Sequence, residues 1–221
     1  MVILAIETST SLGSVAVLQD GDAVAQINES VPRRHLEWLA PAIRRLLDGA
    51  GRTPAQIEAV VVSIGPGSFT SLRIGIATAA MWARALGIPA VGVPTLDVVA
   101  LGTRANGPVV AMLDVRRGEV AAAAFSRDGD LRRLTPDLVG PVPAVLAGLP
   151  PQRITVSGDG LERYADAVTS ARPDAVLAPR DQWYPTAASA GRLGWARLVR
   201  GERDDLYRLW PVYVRAPTDK G

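Results

Sequence analysis

At 221 residues the chain can hold one large domain or two small lobes. Its 48% hydrophobic and 21% charged residues are ordinary for a soluble globular protein, and the lack of cysteine excludes disulfides, thiolate metal sites and thiol catalysis. The formal net charge of +2 is carried almost wholly by arginine, Lys220 being the single lysine, and it leaves no strong nucleic-acid footprint; Arg33-Arg34, Arg44-Arg45, Arg116-Arg117 and Arg132-Arg133 read as solvated pairs, the alternative being a modest phosphate-facing role for some of them.

Met1–Ile6 has no basic leader and meets Glu7 at once, so it reads as a buried strand rather than a signal peptide. Ile3–Thr8, Gly13, Ser14–Gln19, Asp20-Gly21-Asp22 and Ala23–Ile27 spell strand, glycine turn, strand, hairpin, strand. The spacing of Leu36, Leu39, Ala40, Ile43, Leu46 and Leu47 predicts a helix over Leu36–Leu47, stopped by Gly49 and Gly51. Ala59–Ile64 is a buried strand. It is followed by the turn Gly65-Pro66-Gly67-Ser68, a second helix over Phe69–Leu86, a strand at Ala90–Val93 and a short helix at Thr95–Leu101 capped by Thr95. The longest apolar helical stretch, Ile74–Leu86, contains Arg84 and is too short and too polar to span a membrane, so a cytoplasmic location is expected.

Gly102–Pro108 is polar and turn-rich and divides the chain into lobes 1–104 and 105–221. The opening pattern then returns: Val109–Asp114, Gly118, Glu119–Ser126, Asp128-Gly129-Asp130, Leu131–Leu134. A Pro-rich connection (Pro136–Pro143), a short helix near Ala144–Leu149, a strand at Arg153–Ser157, a helix at Gly160–Ala171, a strand at Ala175–Leu177 and a helix at Ala187–Arg200 follow. Leu209–Arg215 is apolar enough to dock, and Ala216–Gly221 is expected to fray. An internal repeat is a statement about the whole fold. Two copies of β-β-β, each followed by helices and further strands, point to an α/β, two-lobed actin/Hsp70-like ATPase (ribonuclease H-like) fold with duplicated β-β-β-α-β-α units. In that fold a nucleotide lies between the lobes, though fold alone does not fix function.

Candidate nucleotide or anion contacts follow from that cleft. Glu7 ends the first strand beside Thr8, Ser9 and Thr10, an acid and hydroxyls suited to phosphate and metal; a locally satisfied hairpin start explains them equally. Gly65, Gly67 and Ser68 precede a helix and could aim free N–H groups at an anion, or form a tight turn with Ser68 as N-cap; without Gly-Lys-Ser/Thr this is no P-loop. Asp114 is the repeat-related acid, but Val115-Arg116-Arg117-Gly118 is too bulky for a working phosphate loop. Ser157-Gly158-Asp159-Gly160 reads equally as nucleotide loop or plain loop, and one histidine, His35, cannot build a histidine-based metal site.

The second helix is apolar on two sides. Leu72, Ile76, Ala79, Ala80, Ala83 and Leu86 face the sheet; Ile74, Ala77, Met81 and Ala85 lie nearly opposite. On the first helix Trp38 falls opposite the core stripe, among Arg34, Pro41 and Arg45, as interface centres favour. Either the second lobe covers these faces, or Arg34, His35, Trp38, Arg45, Ile74, Ala77, Thr78, Met81 and Ala85 form a protein–protein interface. Trp82 reads as core.

Ile3–Thr10, Arg34-His35-Leu36-Glu37, Ser63–Thr70, Leu72-Arg73-Ile74-Gly75, Gly87-Ile88-Pro89 and Gly92–Leu96 resemble the TsaB family of tRNA threonylcarbamoyladenosine biosynthesis subunits; Arg116–Val120 and Pro211–Arg215 extend the resemblance over essentially the full chain. The resemblance implies the two-lobed actin-like fold. It also implies a non-catalytic scaffold that binds the catalytic paralogue TsaD through its first-lobe helices as a heterodimer, is joined by the ATPase TsaE, and forms a homodimer when alone. Contact with tRNA would come only through the complex. No catalytic residue, metal or cofactor is implied for the chain alone; at most, weak ATP or ADP with Mg in the assembled complex is expected. The alternative is a weak nucleotide-binding ATPase or kinase-like enzyme using Glu7 and Asp114. Peptidase chemistry finds no support. Thr95 and Val99 stand where the catalytic paralogue has its metal-binding histidines, Ser71 where the TsaB family usually has Gly, and Ala121 where it often has Tyr.

Overall fold

The computed structural model describes residues 1–105, 107–127 and 130–214; the Asp128-Gly129 turn, Arg215 and Ala216–Gly221 lie outside them. Strands β1 (Val2–Glu7), β2 (Leu12–Gln19) and β3 (Asp22–Ser30) form an antiparallel meander. Asp20 (φ 52°) and Gly21 (φ 92°) turn the β2–β3 hairpin with the positive φ angles that Asp-Gly accepts. Gly13, expected at a turn, lies within β2, and the turn is made by Thr8–Ser11; the ring of Trp38 occupies the space a side chain at 13 would need.

Helix α1 (His35–Gly49), β4 (Ala59–Gly65), α2 (Phe69–Leu86) and β5 (Ala90–Pro94) complete the first sheet, in the order β3-β2-β1-β4-β5 with β4 and β5 parallel to β1. Helices cover both faces of β1 and β4, which is why these strands are continuously apolar instead of alternating. Leu36 and Ala40, expected on the core stripe of α1, are exposed; the buried face is Trp38, Leu39, Ala42, Ile43, Leu46 and Leu47. The helical stripe is therefore rotated from its sequence reading, because Trp38 takes the inward position.

Helix α3 (Thr95–Gly102) leads to β6 (Val109–Arg116), β7 (Glu119–Ser126), β8 (Arg132–Arg133), β9 (Leu138–Gly140), α4 (Val142–Ala147), β10 (Thr155–Ser157), α5 (Leu161–Ala171), β11 (Val176–Leu177) and α6 (Ala187–Val199). The second sheet runs β8-β7-β6-β10-β11, the order and strand directions of the first, so the duplication extends to three dimensions. Of the expected strand Leu131–Leu134, Arg132 and Arg133 form the strand and pair with β7, and the Leu134 N–H donates to Ala124 O of β7 (2.8 Å). The expected connection Pro136–Pro143 instead contains β9, which pairs Leu138–Gly140 with Val120–Ala122. Pro143 falls in the first turn of α4, where a missing N–H costs nothing. Thr95 does not cap α3: it is the first helical residue, Pro94 holds the N-cap position, and the Thr95 hydroxyl is buried without a partner.

Two helices lie between the sheets. Leu96, Val99 and Ala100 of α3 pack on the inner face of the second sheet, and α6 packs on the first. Gly194 permits the close approach of α6, since a Cβ there would strike the Val61 side chain. Thr186 caps α6 by accepting the Ser189 N–H. The chain that left the first sheet at Gly102–Pro108 thus returns to it after residue 182. The tail stays there: Val212 N–H donates to Ile64 O (2.7 Å), Asp204 accepts the Gly92 N–H (2.7 Å), and Tyr213 stacks on Phe69 with ring centroids 4.8 Å apart.

Candidate functional site: the cleft between the lobes and the outer face of the second helix

A cleft of about 1190 Å³ opens between the two halves. The β1–β2 turn (Ser9, Thr10, Ser11), the residues before and at the start of α1 (Arg33, His35) and the start of α2 (Gly67–Ser71, Ile74) line one side; Asp114–Arg116 and the start of α5 (Asp159, Glu162, Arg163) line the other. Ser9, Thr10, Gly67, Ser68 and Asp114 are brought together as the sequence predicts. Glu7, Thr8 and Gly65 are not among the lining residues.

Glu7 is 0% exposed and faces inward. One carboxylate oxygen accepts the Ser9 N–H (2.6 Å) and the other the Ser63 hydroxyl, while burial pushes its pKa above the usual carboxylate value. Thr8 is also buried, its hydroxyl donating to Ser71 O (2.8 Å). Gly75 allows that approach, because a Cβ at 75 would collide with Thr8 Oγ1. Gly65 is buried beneath Val212. The expectation that Glu7 and Thr8 look into the cleft is thereby corrected: β1 is an interior strand, and its last residues are sealed under α2.

Ser68 occupies the N-cap position of α2 without capping it; its hydroxyl meets that of Ser71 at 3.0 Å, and its own N–H donates to Ser9 O (2.7 Å). Ser71 thus adds a hydroxyl contact at the point where a glycine would have none. Thr10 Oγ1 accepts the Leu12 N–H at 3.3 Å. On the second lobe Asp114 accepts the Arg116 N–H (2.8 Å) and contacts its guanidinium (3.3 Å). Arg116 (φ 71°) and Arg117 (φ 58°) make the β6–β7 turn in a conformation that non-glycine residues disfavour. Asp159 Oδ1 accepts the Asp114 N–H (3.1 Å), and burial raises its pKa to about 7. Its only sequence signal was the Ser-Gly-Asp-Gly turn between a strand and a helix.

A metal-bound nucleotide does not fit these donors. Both oxygens of Glu7 are already engaged inside the protein, and Asp114 is clasped by an arginine. Among the described residues no group of three or more His, Cys, Asp and Glu side chains could hold a metal ion. Thr95 and Val99 are buried in α3 between the sheets, and Ala121 is buried in β7.

The second candidate surface is helical. Ala77, Met81 and Ala85 are exposed on α2, Met81 at 70%, and among the described residues the second lobe does not cover them. Thr78 is half-buried, its hydroxyl bonded to Ile74 O, and Ile74 turns partly into the cleft. Arg34 and Arg45 are exposed beside Glu37 and Glu29. Two expected members do not belong to the surface. Trp38 is only 9% exposed and its indole N–H donates to Glu29 (2.7 Å). His35 is buried against the Trp38 edge, and that burial lowers its pKa. Leu36, 75% exposed, takes the outward position instead. The tail expected to dock does so on the start of α2, a place the sequence did not specify: Arg73 lies 3.9 Å over the Phe69 ring and donates to the Tyr213 hydroxyl (2.9 Å).

Residues 26–160, more than half of the chain, match the family described as TsaD, tRNA N6-adenosine threonylcarbamoyltransferase. The chain belongs to the TsaD family. Within that family its similarity runs to TsaB. The tRNA threonylcarbamoyladenosine biosynthesis protein TsaB of Escherichia coli is 41% identical over 131 residues, 58% of this chain and 56% of that protein. The match thus spans little more than half of that relative's length. An uncharacterized Mycobacterium tuberculosis protein is 40% identical over 157 residues, 67% of this chain and 72% of the other. YeaZ from Pseudomonas aeruginosa superposes with a TM-score of 0.83 at 30% identity, covering 96% of this chain and 99% of the other. A Clostridium difficile dehydratase activator solved with bound ADPNP, at 11% identity and a TM-score of 0.54, shows the shared actin-like ATPase fold alone.

Proposed function

We propose that this TsaD-family chain is a non-catalytic scaffold in tRNA N6-threonylcarbamoyladenosine biosynthesis. It holds the catalytic paralogue TsaD through the outer face of α2 and the neighbouring face of α1, with TsaE joining the assembly, a homodimer when alone and tRNA contacted only through the complex. The observation that carries this reading is the exposed stripe Ala77, Met81 and Ala85, an apolar helix face that the described residues of the protein's own second half leave open. Small residues let a partner helix approach closely, and the flanking Arg34 and Arg45 supply a polar rim. The kinase-like alternative draws less support, since Glu7 is sealed away and Asp114 is held by Arg116.

Light scattering on the purified chain mixed with TsaD from the same organism tests the proposal. A one-to-one heterodimer replacing a homodimer is the expected result. Ala77→Glu places a charge in the stripe and should abolish association while leaving the thermal midpoint within about 2 °C, as a surface substitution does. Unchanged association in Ala77→Glu would remove α2 from the interface.

A further inference from the structure

The outer stripe of α2 has two unlike edges. Toward α1 the exposed arginines are paired, Arg45 with Glu29 (2.7 Å) and Arg34 with Glu37 (3.5 Å). Along the other edge Arg73, Ala77 and Arg84 are exposed, and their spacing of four and then seven residues puts them on one strip of the helix. Arg73 donates to the Tyr213 hydroxyl (2.9 Å) and Arg84 to the Tyr207 hydroxyl (3.3 Å), but among the described residues neither has a carboxylate partner. The apolar stripe is therefore bordered by uncompensated cations on its tail side.

Those two contacts also fix the course of the tail. Tyr207 meets the end of α2 and Tyr213 its start, so the tail runs beside the helix in the opposite direction. Its length suits that path: the helix rises about 16 Å between Arg73 and Arg84, and an extended chain covers about 20 Å between the two tyrosines. Leu209 is buried in the first-lobe core and Pro211 is buried beside it in the chain, which leaves Trp210 69% and Tyr207 76% exposed. The Trp210 indole N–H is already satisfied by Tyr207 O (3.0 Å), so its ring offers apolar area with no unmet donor. The backbone that presents it is held on both sides, by the Gly92 N–H on Asp204 and the Val212 N–H on Ile64 O. An exposed Trp on a fixed backbone beside unpaired arginines has the composition of an interface centre, and its ordering cost is already met.

We propose that the docking face of α2 extends over the tail, and that its occupant is a helix of the catalytic partner whose apolar face is edged by carboxylates. Trp210 anchors that helix, and Arg73 and Arg84 pair with its carboxylates. The inference rests on the partner reading above and adds which edge of α2 the partner leans over. Charge complementarity selects the occupant. A second copy of this chain has no acidic residue on α2, and its nearby Glu29, Glu37, Asp204 and Asp205 are paired with its own arginines.

Titration of labelled TsaD from the same organism with the full-length chain, at about 50 mM and about 500 mM salt, tests it. Trp210→Ala should weaken the heterodimer about tenfold or more, chiefly by faster dissociation, while Trp210→Phe keeps a ring and recovers most of the loss. Arg84→Glu should weaken it about tenfold at low salt, chiefly by slower association, and flatten the salt dependence. Arg192→Glu, on the exposed side of α6 across the first sheet, should change it by less than about twofold. If Trp210→Ala melts early, Arg84→Glu carries the test. Absence of any wild-type heterodimer overturns the partner reading and this inference together. A heterodimer that Ala77→Glu abolishes, while Trp210→Ala and Arg84→Glu stay within about twofold, overturns this inference alone. It is also overturned by a wild-type affinity that salt leaves unchanged, or by variants that weaken the homodimer and spare the heterodimer, which would make the occupant a second copy.

Discussion

After β1 the chain turns through Thr8-Ser9-Thr10-Ser11; after β6, at the matching place in the second sheet, it turns through Val115-Arg116-Arg117-Gly118. The first turn is folded inward. Glu7 and Thr8 are buried, and three hydrogen bonds tie Glu7 and Thr8 to Ser9, Ser63 and Ser71. The second turn projects outward, with two arginines at positive φ and Asp114 serving chiefly to hold Arg116. One strand pattern thus supports a structural acid in the first lobe and an exposed cationic turn in the second. The difference teaches that a repeat fixes where strands go, while the few residues between strands decide whether a loop becomes core or cleft. Neither copy keeps a carboxylate free to ligate a metal, and for opposite reasons: one is buried, the other is paired.

The largest effect is expected on the first-lobe side, from its inward-facing aromatic. Trp38→Ala should cost about 3–5 kcal/mol in chemical denaturation, because it removes a buried ring and strands the Glu29 contact. A loss below about 0.5 kcal/mol, the surface-substitution range, would return Trp38 to the outer face that its sequence position suggested. Glu7→Ala comes next, at about 2–4 kcal/mol, since the Ser9 N–H and the Ser63 hydroxyl lose their acceptor in a dry interior. Its counterpart Asp114→Ala, on a turn shared with an exposed arginine, should stay within about 1 kcal/mol. Equal costs for the two would break the contrast between the turns.

Asp159 gives a pH-dependent version of the same comparison. Its folded pKa, about 7, lies above the unfolded value of 3.8, so the folded state retains the proton over that interval. Its stabilising contribution is complete below the unfolded value and is lost as pH rises through about 7. His35 works in the opposite sense: burial lowers its pKa, so its contribution is present above its unfolded value of 6.5 and is lost as pH falls. Asp159→Asn keeps an oxygen for the Asp114 N–H and removes only the Asp159 titration. Relative to wild type it should gain on the order of 2–3 kcal/mol between pH 5 and pH 8, read from urea midpoints at each pH. A parallel pH profile in the two proteins would mean Asp159 titrates normally. The smallest effect is Arg117→Gly, which relieves a left-handed residue and should raise stability by about 1 kcal/mol, roughly 2–4 °C in thermal midpoint for a chain of this size.

The sequence alone determined the duplicated strands, the two long helices and the family. Each of these rests on information local to a segment: a two-residue alternation or apolar run, a 3.6-residue period, an Asp-Gly turn, or a run such as Ser63–Thr70. It also marked a second apolar face on α2 but left open whether the second lobe covers it. Trp38 and Leu36 exchanged their expected places because a helical wheel ranks faces by average polarity, whereas Gly13 and Glu29, distant in sequence, made room and a partner for the larger ring. The inward turn of Glu7, the pairing of Asp114 with Arg116, the burial of Ser9 and the return of α6 to the first sheet were decided only by tertiary structure. Each depends on what a residue meets across the fold, and burial and pairing of that kind set the cost of a charge far more than the residue's own identity does.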